Sequence, residues 1–192
     1  MNSIHGIPIV GKIPEKYINT LKYLEELTEA RLWKGLKSIY INEYEASREV
    51  FEANKHDLAL GNYLKPAWKE EGQFIKLDLF DKNKNVTRYE LFKKDLPAIA
   101  IEAGFIYEEY WFAVVLLHEL GHHVNREKEL KQNEDEYEVA ANLFALKYLE
   151  ESYLTPDDFL FLHGNNHWEK AWFTHQENEI KRLKEMSLNH DL

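Results

Sequence analysis

The chain has 192 residues, 44% hydrophobic and 14% aromatic with only 8 Gly and 5 Pro, the material of one packed domain and not of a disordered chain. Its formal charge of -10, from 24 basic and 34 acidic side chains, excludes a broad electrostatic footprint for nucleic acid, and the basic pairs Lys93-Lys94 and Lys181-Arg182 sit among carboxylates. With no cysteine, disulfides and thiolate metal sites are excluded together, so any metal must be held by His and carboxylate groups.

Met1 to Pro14 lacks a basic start followed by an apolar run, and no apolar stretch approaches the roughly 18 residues that a bilayer crossing requires. The expectation is a cytoplasmic protein with no membrane partner. From Glu15 the spacing of Ile18, Leu21, Leu24 and Leu27 predicts an amphipathic helix to about Lys34, with Gly35 placed to stop it. Leu36 to Asn42 is rich in strand formers, and Glu43 to Asn54 returns to a helical pattern. Gln73 to Phe80 and Val86 to Phe92 alternate around the turn-forming run Asp81 to Asn85, which predicts a β-hairpin. Pro97 heads the apolar segment Ala98 to Ile101; because proline has no N–H to give a ladder, an edge strand is expected there, or none. Such an edge could dock an extended peptide.

Tyr107 to Asn125 reads as a helix apolar nearly all round in its middle, the pattern of an element buried on several sides. Asn133 with Glu136 forms a capping box for a second buried helix to about Glu150. Thr155-Pro156 starts a further helix, and Trp168 to Met186 is a last one with many charges. One domain over 1–192 is expected, with a helix and small sheet in about 1–105 and a helical part in 106–192.

Within the buried helix stands His118-Glu119-Leu120-Gly121-His122, an H-E-x-x-H pattern. Residues four apart are about 6 Å apart along the axis on one face, so both imidazoles can converge on a single ion. Glu119, near the edge of that face, can reach a water on the ion without being a ligand, as a general base must. Chance gives roughly 0.06 matches in a chain of this composition, and burying two imidazoles and a carboxylate in apolar surroundings is costly without a compensating cation. Zinc needs a third protein ligand and an open position for water. Lys128 stands ten residues after His118, where a metzincin would need His. Among the downstream acids Glu138 shares a stripe with Ala141, Asn142 and Ala145, small and polar residues that permit close helix approach; Glu134 and Glu136 are the alternatives. Asn142, one turn on, could hydrogen-bond a ligand.

These residues, His118-Glu-Leu-Gly-His122 and then Glu138-Val-Ala-Ala-Asn142-Leu-Phe-Ala145, resemble the ImmA/IrrE-type metallopeptidases of the gluzincin group, which carry HELGH and an E-x-E-A-N/D-x-F-A helix. The resemblance spans about Glu109 to Leu149. It implies an α+β zincin-like domain with Zn2+ held by His118, His122 and Glu138, Glu119 catalytic, and a peptide or protein as substrate. Ala140 stands where that family often has a second Glu, which leaves Glu138 the acidic residue of the motif. His163 and His167 bracket Gly164-Asn165-Asn166 and read either as loop-capping residues or as stabilisers of a tetrahedral oxyanion. His123 points a third of a turn away from the site, as a second-sphere or surface histidine. A protein that keeps this scaffold and its metal but acts only by binding a regulatory partner is the alternative expectation.

Overall fold

A computed structural model describes residues 1–11, 13–41, 61–65, 74–80, 86–101, 109–126, 134–149 and 166–190. The helix expected at 43–54, the turn at 81–85, the Asn133 cap and the helix start at Thr155 lie outside them. The described elements make an α+β fold: β1 (Ser3–Ile4), β2 (Ile7–Gly11), α1 (Lys16–Leu27), β3 (Ser38–Ile41), β4 (Gly61–Leu64), β5 (Phe74–Phe80), β6 (Val86–Phe92), β7 (Ala98–Ile101), α2 (Glu109–Asn125), α3 (Glu134–Tyr148) and α4 (Asn166–His190).

Five strands form one mixed sheet in the order β1-β2-β3-β7-β4, and β5 pairs with β6 as a separate antiparallel ribbon. The opening hairpin, β1 with β2, was not foreseen from the sequence. It turns at His5 and Gly6 with φ of 47° and 79°, the left-handed pair that a tight two-residue turn requires. His5 there takes the place of the usual Asn or Asp, so the ordinary turn signal is missing.

The first helix ends earlier than its periodicity suggests. Thr28 turns extended, its hydroxyl donates to the Leu24 carbonyl at 2.6 Å, and the Trp33 indole donates to that same hydroxyl at 3.0 Å. A short 3-10 turn over Ala30–Trp33 follows, and the break lets Trp33 enter the core fully buried. Gly35, at φ 94°, then redirects the chain into β3.

The expectation of an edge at Ala98–Ile101 is overturned. β7 lies between β3, parallel to it, and β4, antiparallel to it, with all four residues buried. Pro97 precedes the ladder, so its missing N–H costs no strand bond, while its carbonyl accepts from the Lys37 amide at 2.8 Å. Among the described strands the edge on that side is β4 instead.

Every residue of α2 from Phe112 to His123 is buried, because helices and strands of the sheet cover it on several sides. α1 meets it through Tyr17, stacked on Phe112 at 4.4 Å; β4 lies along Val115 and Glu119; α3 packs on a third side, and α4 packs on α3. Each large apolar side chain so buried contributes about 1.5–3 kcal/mol.

The α2–α3 contact is as close as backbones permit. A Cβ at Gly121 would stand 2.8 Å from the Ala141 carbonyl oxygen and 2.9 Å from its Cα. Both are main-chain atoms, which cannot rotate aside. Gly121→Ala therefore destabilises the fold by about 1–3 kcal/mol of overpacking despite the better helix propensity of alanine, read as a lower midpoint in urea or thermal unfolding.

Candidate metal centre

Two helices built by different sequence logic supply the centre. α2 is held by its apolar surface, and His118 and His122 fall on the one face that meets α3. α3 presents Glu138, Ala141, Asn142 and Ala145 towards it, and small Ala141 at the contact lets the polar groups meet. The three expected ligands come together: His118 Nε2 lies 3.0 Å from His122 Nε2 and 3.4 Å from Glu138 Oε2, and His122 Nε2 lies 3.3 Å from Glu138 Oε1.

These spacings fit a shared ion. In a tetrahedral site with bonds of about 2.0–2.1 Å, ligand atoms stand about 3.3 Å from one another. His118, His122 and Glu138 can thus hold one metal ion, the imidazoles buried and the carboxylate one-third exposed. Glu136, one alternative for the third ligand, is not part of this cluster among the described residues, and the side chain of Glu134, the other, lies outside them.

The surroundings prepare the ligands unequally. His118 Nδ1 lies 2.6 Å from Asn142 Oδ1. A donor at Nδ1 leaves Nε2 with its lone pair facing the other two ligands, so buried Asn142 sets the tautomer that a metal needs. His122 has no such partner: its Nδ1 is buried and unbonded among the described residues. Its ring is set by packing, with the Tyr137 ring 4.4 Å away, while the Tyr137 hydroxyl donates to the His122 carbonyl at 2.9 Å. Lys65 in turn lies over that tyrosine, its Nζ 5.1 Å from the ring centre.

Charge in the cluster favours a cation at its centre. Burial alone would lower the His118 pKa, but Glu138, Glu119 and Asn142 outweigh it and raise it above the usual value. Burial likewise pushes Glu138 up, yet hydrogen bonds and charge from His118 and His122 overturn this and hold its carboxyl well below the carboxylate range. Burial raises the Glu119 pKa, against the opposing fields of the two histidines. The raised His118 and the lowered Glu138 both favour positive charge between them, and a divalent ion satisfies the same field.

Other predicted residues fall elsewhere. His163 is outside the described residues. His167 begins α4 with Nε2 2.8 Å from Asp135 Oδ1, one turn before Glu138 on α3, and is not among the clustered ligands. His123 is fully buried and not at the surface: its ring nitrogens lie 3.2 Å from the Tyr63 hydroxyl and 3.2 Å from the Lys34 carbonyl. Burial lowers its pKa to about 4, which keeps it neutral and makes it a bolt between α2, β4 and the end of the 3-10 turn.

Two contributors escaped the sequence reading. Tyr137 was findable, since it stands four residues before Ala141 on the inward stripe of α3. β4 was not, because four residues with one glycine carry no periodicity.

Comparison with protein-family models, with curated proteins and with solved structures finds none that matches this chain. No helix among the described residues is long and apolar enough to cross a membrane. Asn142→Ala is expected to lower divalent-metal affinity about 10- to 100-fold while stoichiometric binding persists, measured by competition with a chromogenic chelator.

Proposed function

We propose that the protein is a zinc-dependent metallopeptidase of zincin-like fold, acting on peptide or protein substrates. The observation that supports it most is the pairwise 3.0–3.4 Å spacing of two imidazole nitrogens and one carboxylate, with the Glu119 carboxylate buried beside them. Nitrogen and oxygen donors at these distances suit Zn2+. Zinc in such a site supplies Lewis acidity towards a carbonyl and lowers the pKa of a coordinated water to about 7.

The chain's own residues supply the rest. Glu119 takes a proton from the attacking water and passes it to the leaving amine nitrogen; its raised pKa, set by burial, favours holding that proton between the two transfers. Asn142 keeps His118 in its ligating tautomer, and Tyr137 fixes the His122 ring. An extended substrate is expected to add along β4, the edge among the described strands beside Glu119, and not along β7. For His167 to serve as an oxyanion donor it would have to leave Asp135.

The test joins metal analysis to peptide hydrolysis. Purified protein is expected to hold one equivalent of zinc, and His118→Ala and Glu138→Ala to lose it. Glu119→Gln should retain zinc and lose about 10²- to 10⁴-fold in rate on a quenched peptide library. A wild-type protein that holds zinc yet cleaves nothing, with cellular function surviving Glu119→Gln, would assign the fold to partner binding alone.

A further inference from the structure

β4 approaches α2 more closely than a side chain would allow. A Cβ built at Gly61 would stand 2.6 Å from Glu119 Oε1, 2.7 Å from Glu119 Cγ and 2.8 Å from Val115 Cγ1. Gly61 is not in the left-handed region, so its value lies in space and not in dihedral freedom. Two residues on, the Tyr63 backbone amide donates a hydrogen bond to the Glu119 carboxylate.

A strand amide points either to its ladder partner or away from it. Since that of Tyr63 is given to Glu119, it faces away from β7, towards the other side of β4. Gly61 and Tyr63 share a face of the strand, and the residues of α2 opposite them, Val115, Glu119 and His123, recur every four positions along one helical stripe. The His123 to Tyr63 contact pins the far end of this pairing. Strand and helix thus lie in register, with Glu119 between the fixed points.

We infer that β4 positions Glu119 for the reaction: Gly61 provides the space its carboxylate occupies, and the Tyr63 amide on the side of β4 away from β7 fixes its direction. This rests on the peptidase reading above and names positioning residues for it. The carboxylate has many rotamers in a wider site; here one wall lacks a Cβ and one amide selects the orientation. A methyl group at residue 61 must displace either the carboxylate or the strand. Misplacement of a reacting group by about 1 Å costs on the order of 100-fold in rate.

The experiment is a double-mutant cycle on the zinc-loaded full chain, using wild type, Gly61→Ala, Glu119→Ala and the double variant. If Gly61 makes room for the carboxylate, Gly61→Ala lowers the unfolding midpoint in the Glu119 background and lowers it less than half as much in the Glu119→Ala background. Gly61→Ala alone should also reduce kcat about 100-fold with KM changed less than about threefold and zinc stoichiometry intact. Should Gly61→Ala not fold, the Gly61→Ala/Val115→Ala variant removes the conflict with Val115 and leaves that with Glu119, and the same loss of kcat is expected. Equal loss of midpoint in both backgrounds, or an unchanged kcat, overturns the inference. Absence of peptide hydrolysis in the wild type would sink the peptidase reading instead, while the thermal cycle still reads the Gly61–Glu119 contact.

Discussion

The backbone contact between α2 and α3 at Gly121 and Ala141 is the constraint on which the rest of the molecule turns. With a carbonyl oxygen and a Cα so near the position of a glycine Cβ, the two helices cannot slide apart by even one methyl group without losing the contact. His122 next to that point and His118 three residues before it face Glu138, three residues before Ala141, across a gap that suits one ion. Had the helices crossed around larger side chains, the carboxylate would end several ångströms short. Small residues at the contact bring the two backbones near enough for side chains of this reach to meet.

Holding four ionisable groups in this interior is expensive, and the structure shows how the cost is met. The two imidazoles and the Glu119 carboxylate are buried, and the Glu138 carboxylate is one-third exposed. Each has a defined counterpart: Asn142 for His118, the Tyr137 ring for His122, the Tyr63 amide for Glu119, and both imidazoles for Glu138. The opposed pKa shifts of His118 and Glu138 show a field that selects for positive charge at their meeting point. A neighbouring histidine experiences the reverse. His123, one residue beyond His122, is kept neutral by burial and serves as a strut to β4 and the backbone of Lys34. Adjacent histidines on one helix thus take opposite tasks, separated only by the roughly 100° of rotation between consecutive residues.

The sheet has a narrower task than the sequence suggested. Its central strands β3 and β7 lie within the core, and its one edge near the site is the four-residue strand β4. Placing Ala98 to Ile101 at an edge followed from the chemistry of Pro97, and the reasoning fails because the proline stands one residue outside the ladder. The first helix fails in a similar way: its periodicity continues past Leu27, but one threonine hydroxyl prefers a helix carbonyl and the Trp33 indole to continued helical geometry.

The sequence by itself determined the long elements and the chemistry they could hold. H-E-x-x-H on an apolar helix, and a stripe of Glu138, Ala141, Asn142 and Ala145 on the next, are local patterns, since periodicity fixes which side chains share a face within one helix. Glu138 was preferred over Glu134 and Glu136 by that same logic. What only the tertiary structure decided were relations between elements: that β4 and not β7 forms the edge among the described strands, that Gly61 lies against Glu119 from 58 positions away, that the Tyr137 ring packs on His122, and that His123 is buried. Facing within a helix follows from 3.6 residues per turn, whereas contact between distant segments depends on how all the elements pack at once, and no window of sequence contains that information.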